Sequence, residues 1–193
     1  MPLPGISNLR RLLRDYVAHR LRLPEIPVAL QSLARQGFEP GLIFGVGAYR
    51  GDFARQCKKV WPKARIACFE PQNSILPELH QYALQNSQID VYEDLLGAEG
   101  NSKVVLNEAE TASSILLEKA GPKHPKATYQ MRTIKSVIES ETHQAPDLLK
   151  LDVQGYELEV LKGASTCLDE VSVIPAELNL IDIHENVPSW IRS

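Results

Sequence analysis

Four acidic residues lie at or just beyond the ends of short apolar runs in this 193-residue sequence. They are Glu70, Asp94, Asp152 and Glu177. A carboxylate can accept hydrogen bonds from hydroxyl groups and can take up a proton, so these residues suit the binding of a sugar or the activation of an alcohol. In open α/β sheets, ligands bind beyond the carboxyl ends of the parallel strands. The four acids therefore predict one shared site at that edge of a sheet.

A glycine-rich turn follows the first apolar run and contains Gly45, Gly47 and Gly51. Glycine lets backbone N–H groups approach a ligand closely, and the helix that begins near Asp52 directs its positive end toward the same place. Glu70 follows the last glycine by about 20 residues, which is the spacing of an acid that binds ribose hydroxyls in nucleotide-binding folds. The spacing favours a nucleotide-like ligand, and the alternative is a tight structural loop without chemistry.

Asp152 is the residue that we expect to position an acceptor and to act as its base, because it ends a predicted strand. The alternative is that Asp152 only caps the following helix. Glu157, in the first turn of that helix, is expected to be a solvated charge. His184 follows the last predicted strand and is a second candidate for a catalytic base. Lys150 is expected to form a structural ion pair with Asp152 or Glu177.

The elements that must position these residues alternate between strands and helices. This alternation predicts a doubly wound α/β fold with a mainly parallel, Rossmann-like sheet in the strand order 3-2-1-4-5. The five predicted strands are residues 42–44, 66–69, 89–96, 148–152 and 171–178. Residues 102–107 are predicted as an additional strand, and residues 111–129 as a loop over the active face.

The chain is predicted to contain one main domain, residues 37–193, after a helical N-terminal segment, residues 1–36. The first part of this segment reads as an amphipathic helix with several arginines. Such a helix is expected to dock on its own domain or on a partner subunit. In the second case the protein would be a homo-oligomer.

Composition excludes several classes of protein. A formal net charge of −3 argues against bulk nucleic-acid binding. Cys57, Cys68 and Cys167 have no metal-ligand spacing, and we predict no metal. No apolar run is long enough to span a membrane, and the N-terminus lacks the core of a signal peptide. We therefore expect a cytoplasmic protein with reduced thiols.

Several segments together resemble the FkbM-type S-adenosylmethionine-dependent methyltransferases. The resemblance covers about residues 37–179, and its carriers are GLIFGVGAYRGDFARQ, IACFEPQ, SSIL and DLLKLDVQGYELEVLKGA. It implies a class I methyltransferase fold, S-adenosyl-L-methionine as cofactor, and a sugar, glycan or small natural product whose hydroxyl group receives the methyl group.

The resemblance also implies roles for individual residues. Gly47, Ala48 and Gly51, with Gly45 in the same motif, would cradle the methionine part of the cofactor, and Glu70 would bind its ribose. Asp94 and Leu95 would lie near the adenine. Asp152 would lie beside the sulfonium and the acceptor.

Three departures from the family pattern qualify the expected activity. Gly45 and Tyr49 stand where the family usually has Asp and Asn, and Lys135 replaces an acid in a TLD-like segment. The sequence also stops soon after the fifth predicted strand, so a truncated or degenerate member is expected. We expect weak cofactor binding that Gly45→Asp strengthens. The alternatives are a non-catalytic methyltransferase-like protein and a nicotinamide-dependent oxidoreductase.

Overall fold

A computed structural model of the chain describes residues 26–107 and 126–176. The chain divides into two compact units, Met1–Glu39 and Pro40–Ser193. In the first unit, helix α1 (Ile26–Arg35) contains Pro27, which fits the first turn of a helix because no N–H partner is needed there. Gly37, in a left-handed conformation with φ +88°, follows the end of the helix.

The second unit contains a four-stranded parallel sheet. Its strands are β1 (Leu42–Val46), β2 (Arg65–Phe69), β3 (Ile89–Tyr92) and β7 (Leu148–Leu151), in the order β3-β2-β1-β7. Single bridges from Leu148 to Val173 and from Leu151 to Ala176 add a parallel neighbour on the far side of β7. The predicted fold class and the order 3-2-1-4-5 are therefore confirmed.

Helices cover both faces of this sheet, because the central strands are apolar on both sides. All five residues of β1 are buried. Helices α2 (Asp52–Val60) and α3 (Leu76–Leu84) follow β1 and β2. The other face packs against α4 (Ile134–Val137) and α5 (Glu157–Lys162). The core on that face includes Phe44, Val46, Phe69, Leu149, Leu151, Ile134, Val137 and Val160.

A second, smaller sheet departs from the sequence prediction. It contains β4 (Leu95–Leu96), β5 (Lys103–Asn107) and β6 (Lys126–Arg132), in the order β4-β6-β5. The single strand predicted over residues 89–96 is wrong, because the chain leaves the main sheet after Tyr92 and Leu95 pairs with Met131 instead. Residues 126–129, predicted as loop, form half of β6. The other residues of that predicted loop, 111–125, lie outside the described part of the chain.

Short helical turns complete the described structure. Thr133 caps α4 through a reciprocal pair of hydrogen bonds with Ser136, at 3.0 and 3.2 Å. A π-helical turn (Ile138–Thr142) and a 3₁₀ turn (Leu168–Glu170) lie on either side of β7 in sequence. Within residues 26–107 and 126–176, no helix combines the length and apolarity needed to cross a membrane.

Candidate functional site

The glycine turn lies over the carboxyl end of β2. The backbone N–H groups of Gly47 and Ala48 both donate to the carbonyl oxygen of Phe69, at 3.1 and 3.0 Å. Gly47 and Gly51 have positive φ, +73° and +85°, and Tyr49 has φ +49°. The turn is therefore wound in a left-handed conformation that glycine adopts freely and tyrosine adopts with strain.

Gly47 is required by a close approach between two backbone segments. A Cβ atom placed on it would lie 2.0 Å from the carbonyl oxygen of Asp152. A Cβ on Gly51 would instead meet the side-chain ends of Leu79 and Tyr82 in α3, at 3.0 and 3.3 Å. Both glycines thus have packing reasons to be present that are independent of any ligand.

Glu70 ties the end of β2 to the glycine turn. Its side chain is 3% exposed; Oε2 accepts the N–H of Tyr49 at 2.8 Å and Oε1 accepts the N–H of Gln72 at 3.1 Å. Burial raises the pKa of Glu70, while these N–H groups and the nearby charge of Lys150 act in the opposite direction. The side chain of Gln72 also hydrogen-bonds this carboxylate. Because two carboxylate oxygens offer about four acceptor positions, at least one position stays open to a hydroxyl hydrogen.

Asp152 follows β7 directly and is held by two side chains. Its Oδ2 accepts from Lys150 Nζ at 2.7 Å and its Oδ1 from Gln154 Nε2 at 3.2 Å. Its backbone N–H donates to Val46 at 3.1 Å, which fixes the end of β7 beside β1. The predicted pairing of Lys150 with Asp152 is confirmed.

Glu157 has a role that sequence reasoning missed. The expectation of a solvated charge is wrong: Glu157 is 7% exposed, and its Oε1 accepts the N–H groups of Val153 and Gly155 at 3.2 and 3.1 Å. The left-handed backbone of Gln154 and Gly155 turns both N–H groups toward this carboxylate. Glu157 therefore shapes the loop that carries Asp152. An acid two residues after a glycine was the available signal.

Asp94 is engaged by a residue of the second sheet. Its Oδ2 lies 2.7 Å from Nη1 of Arg132, whose Nη2 donates to Ser140 at 2.6 Å. Next to it in sequence, Leu95 is buried in β4. Tyr92, at the end of β3, stacks on Phe69 with ring centroids 5.1 Å apart.

The predicted site residues therefore fall into three groups. Gly45, Gly47, Ala48, Gly51, Glu70 and Asp152 lie at or beside the carboxyl ends of β2, β1 and β7. Asp94 and Leu95 follow the neighbouring strand β3. His184 and Glu177 lie outside the described residues. In the part of the chain that the structure describes, no three metal-binding side chains converge.

Comparisons with known proteins agree on one class. The profile of the family described as "Methyltransferase FkbM domain" matches residues 45–191. The hexuronic acid methyltransferase AglP of Haloferax volcanii is 26% identical over 166 residues, which cover 82% of this chain and 62% of that relative. The chain thus spans less than two thirds of the relative's length.

Two solved structures are similar at low identity. One, from Staphylococcus aureus, is described as a caffeoyl-CoA O-methyltransferase; it has 9% identity and a TM-score of 0.45 over 83% of this chain and 60% of its own. The other is the SAH-bound Podospora anserina methyltransferase PaMTH1, with 13% identity and a TM-score of 0.40 over 92% of this chain and 72% of its own.

Proposed function

This chain belongs to the FkbM methyltransferase domain family, and we propose that it transfers a methyl group from S-adenosyl-L-methionine to a hydroxyl oxygen. The observation that supports this most strongly is the position of Glu70, a buried carboxylate joined to a glycine turn at the carboxyl end of a parallel strand. That is where a doubly wound sheet binds the ribose of a nucleotide.

The ribose end of the cofactor fits the residues present. Glu70 is fixed by two backbone N–H groups and by the side chain of Gln72, and it retains an acceptor position for a ribose hydroxyl. Asp94 and Leu95 would lie near the adenine. When bound, the cofactor would supply a methyl group on a positively charged sulfur.

The methionine part of the cofactor fits the residues present less well than the ribose does. No carboxylate is available at residue 45 to hold an ammonium group, and the charged side chain beside that position is the cation Lys150. A charge-assisted hydrogen bond contributes about 1.5–3 kcal/mol, so we expect affinity about one to two orders of magnitude below that of a site with the carboxylate.

Asp152 would hold the acceptor. Lys150 and Gln154 each occupy one lone pair of its carboxylate, and the remaining lone pairs can accept the hydrogen of an acceptor hydroxyl. Fixed in this way, Asp152 would orient the acceptor oxygen and receive its proton as the oxygen is methylated. His184 is retained as a second candidate for that base.

We propose a sugar hydroxyl, on a free sugar acid or a glycan, as the acceptor, because the relative AglP acts on hexuronic acid. The alternative function is that of a non-catalytic protein with the methyltransferase fold. Two residues favour it, because Gly45 and Tyr49 both depart from the family motif. We also propose that the protein works in the cytoplasm.

A labelled methyl-transfer assay tests the proposal. The wild-type chain, with methyl-labelled S-adenosylmethionine and a set of uronic acids and their glycosides, should transfer label to at least one hydroxyl-bearing acceptor. Asp152→Asn should lower the rate about 100-fold or more, as expected for a general base, and the exposed Asp169→Asn should not. Cofactor binding without transfer to any acceptor would favour the non-catalytic protein.

A further inference from the structure

Lys150 is a buried cation next to the proposed acceptor residue. It is 6% exposed and lies on β7, two residues before Asp152, so both side chains point to the same face of the sheet. We propose that Lys150 positions Asp152, and that residue 45 decides whether Lys150 remains bound to it. The inference rests on the proposed function for its significance, because Asp152 is the residue that would hold the acceptor.

The contacts of Lys150 leave it few alternatives to Asp152. Its Nζ lies 2.7 Å from Asp152 Oδ2, 3.5 Å from the carbonyl oxygen of Gly47 and 5.6 Å from the centre of the Phe53 ring. A buried ammonium that loses its carboxylate is left as an uncompensated buried charge, which is strongly unfavourable. Lys150 therefore fixes the direction of the Asp152 carboxylate.

Residue 45 is the neighbour that could compete for this ammonium. Gly45 and Lys150 are direct partners in the β1–β7 register, so their side chains share a face. A Cβ on Gly45 would lie 3.6 Å from Cδ1 of Phe53, an ordinary contact, and Lys150 Nζ lies over the same ring. A Cβ at residue 45 therefore has no backbone clash, and the register directs a longer side chain to the face that Lys150 occupies.

Glycine at residue 45 leaves Asp152 as the carboxylate that binds Lys150. With no carboxylate at residue 45, Lys150 binds Asp152; with one, the ammonium would be shared or transferred. The charge of Lys150 also reaches Glu70, where it offsets part of the rise in pKa that burial causes. Residue 45 thus lies beside a charge that acts on both ends of the proposed site.

The spectroscopic signature of Asp152 tests this directly. In protein labelled with ¹³C-aspartate, the γ-carbon resonance of Asp152 is assigned by its loss in Asp152→Asn. Lys150→Met should shift that resonance. Gly45→Asp should shift it in the same direction, and the uncharged, equally sized Gly45→Asn should leave it in place.

A double-mutant cycle gives the energetic counterpart. The unfolding equilibrium constants of wild type, Lys150→Met, Asp152→Asn and the double variant should show about tenfold coupling between residues 150 and 152. In the Gly45→Asp background the coupling should fall below about threefold, and in Gly45→Asn it should persist.

Two results would overturn the inference: an Asp152 resonance unaffected by Lys150→Met, or coupling that survives unchanged in Gly45→Asp. If Gly45→Asp does not fold, the shift of the Asp152 resonance in Lys150→Met and the wild-type cycle still decide whether Lys150 positions Asp152. S-adenosylhomocysteine titration of the same proteins reports separately on the proposed function, since the ion pair can be present in a chain that binds no cofactor.

Discussion

Gly47→Ala is the substitution whose effect the structure predicts most sharply. The new Cβ would lie 2.0 Å from the backbone carbonyl oxygen of Asp152, where ordinary contacts begin at 3.4 Å. A backbone oxygen cannot rotate away as a side chain can. The turn after β1 and the end of β7 must therefore separate, against the hydrogen bonds from Gly47 to Phe69 and from Asp152 to Val46.

Two contributions set the loss of unfolding free energy that we expect in Gly47→Ala. A side chain in the left-handed region costs about 1–2 kcal/mol, and φ at Gly47 is +73°. Overpacking of a site that cannot relax costs about 1–3 kcal/mol more. The sum, about 2–5 kcal/mol, is a large share of the 5–15 kcal/mol that typically stabilises a domain.

Gly51→Ala is the matched control, in the same turn and with a similar φ of +85°. Its Cβ would meet the side-chain end of Leu79, which can move, so we expect a loss of about 1–3 kcal/mol. Urea unfolding followed by circular dichroism gives both free energies of unfolding. If Gly47→Ala is no more destabilising than Gly51→Ala, the close approach of the two backbone segments is refuted.

Four further predictions follow from named contacts. Glu70→Ala should weaken S-adenosylhomocysteine binding by about 1.5–3 kcal/mol in calorimetry; equal affinities would remove Glu70 from the ribose role. Burial raises the pKa of Glu70 above its ordinary 4.5. The contribution of Glu70 to the free energy of unfolding should therefore be largest below pH 4.5 and should decline as pH rises through the raised pKa. A pH series of urea titrations should show this decline in wild type and not in Glu70→Gln. Gly163→Ala, whose Cβ would lie 2.0 Å from the carbonyl oxygen of Gly97, should lower the unfolding free energy by about 1–3 kcal/mol, and the open Gly100→Ala should not. Tyr49→Asn should raise the free energy of unfolding by about 0.5 kcal/mol, and with it the melting temperature, because Asn tolerates the left-handed φ of +49° better than Tyr does. An unchanged melting temperature would count against backbone strain at residue 49.

The main sheet could be predicted from sequence because its signals are local. Each central strand is a short apolar run bounded by a glycine turn, a proline or an acid, and β1 is buried along its whole length. Glu70 directly follows β2, as predicted by the apolar run that stops at this residue.

The pairing of the second sheet could not be predicted in the same way, although its strand β5 confirms the strand predicted over residues 102–107. Leu95 and Leu96 pair with Met131 and Arg132, more than thirty residues away, and β6 contains few apolar residues to mark it. The ion pair of Arg132 with Asp94 depends on that pairing. Local pattern carries no information about which distant segment completes a sheet.

Within the site, the residue types follow from the sequence, but the partners of each side chain do not. The expectation that a carboxylate at residue 45 would serve the cofactor took no account of Lys150, which the β1–β7 register places beside it. Likewise, Glu157 was expected in solvent because first-turn acids usually are, whereas the loop before α5 turns two N–H groups onto it.

Titration of the folded wild-type chain with S-adenosylhomocysteine tests the central claim most directly. We predict saturable one-site binding with a dissociation constant between about 10 μM and 1 mM, weakened at least about tenfold in Glu70→Ala and unchanged in the exposed Glu99→Ala. Dinucleotides should not compete. Absence of binding at millimolar concentration, or displacement by a nicotinamide dinucleotide, would contradict a methyltransferase cofactor site in this chain.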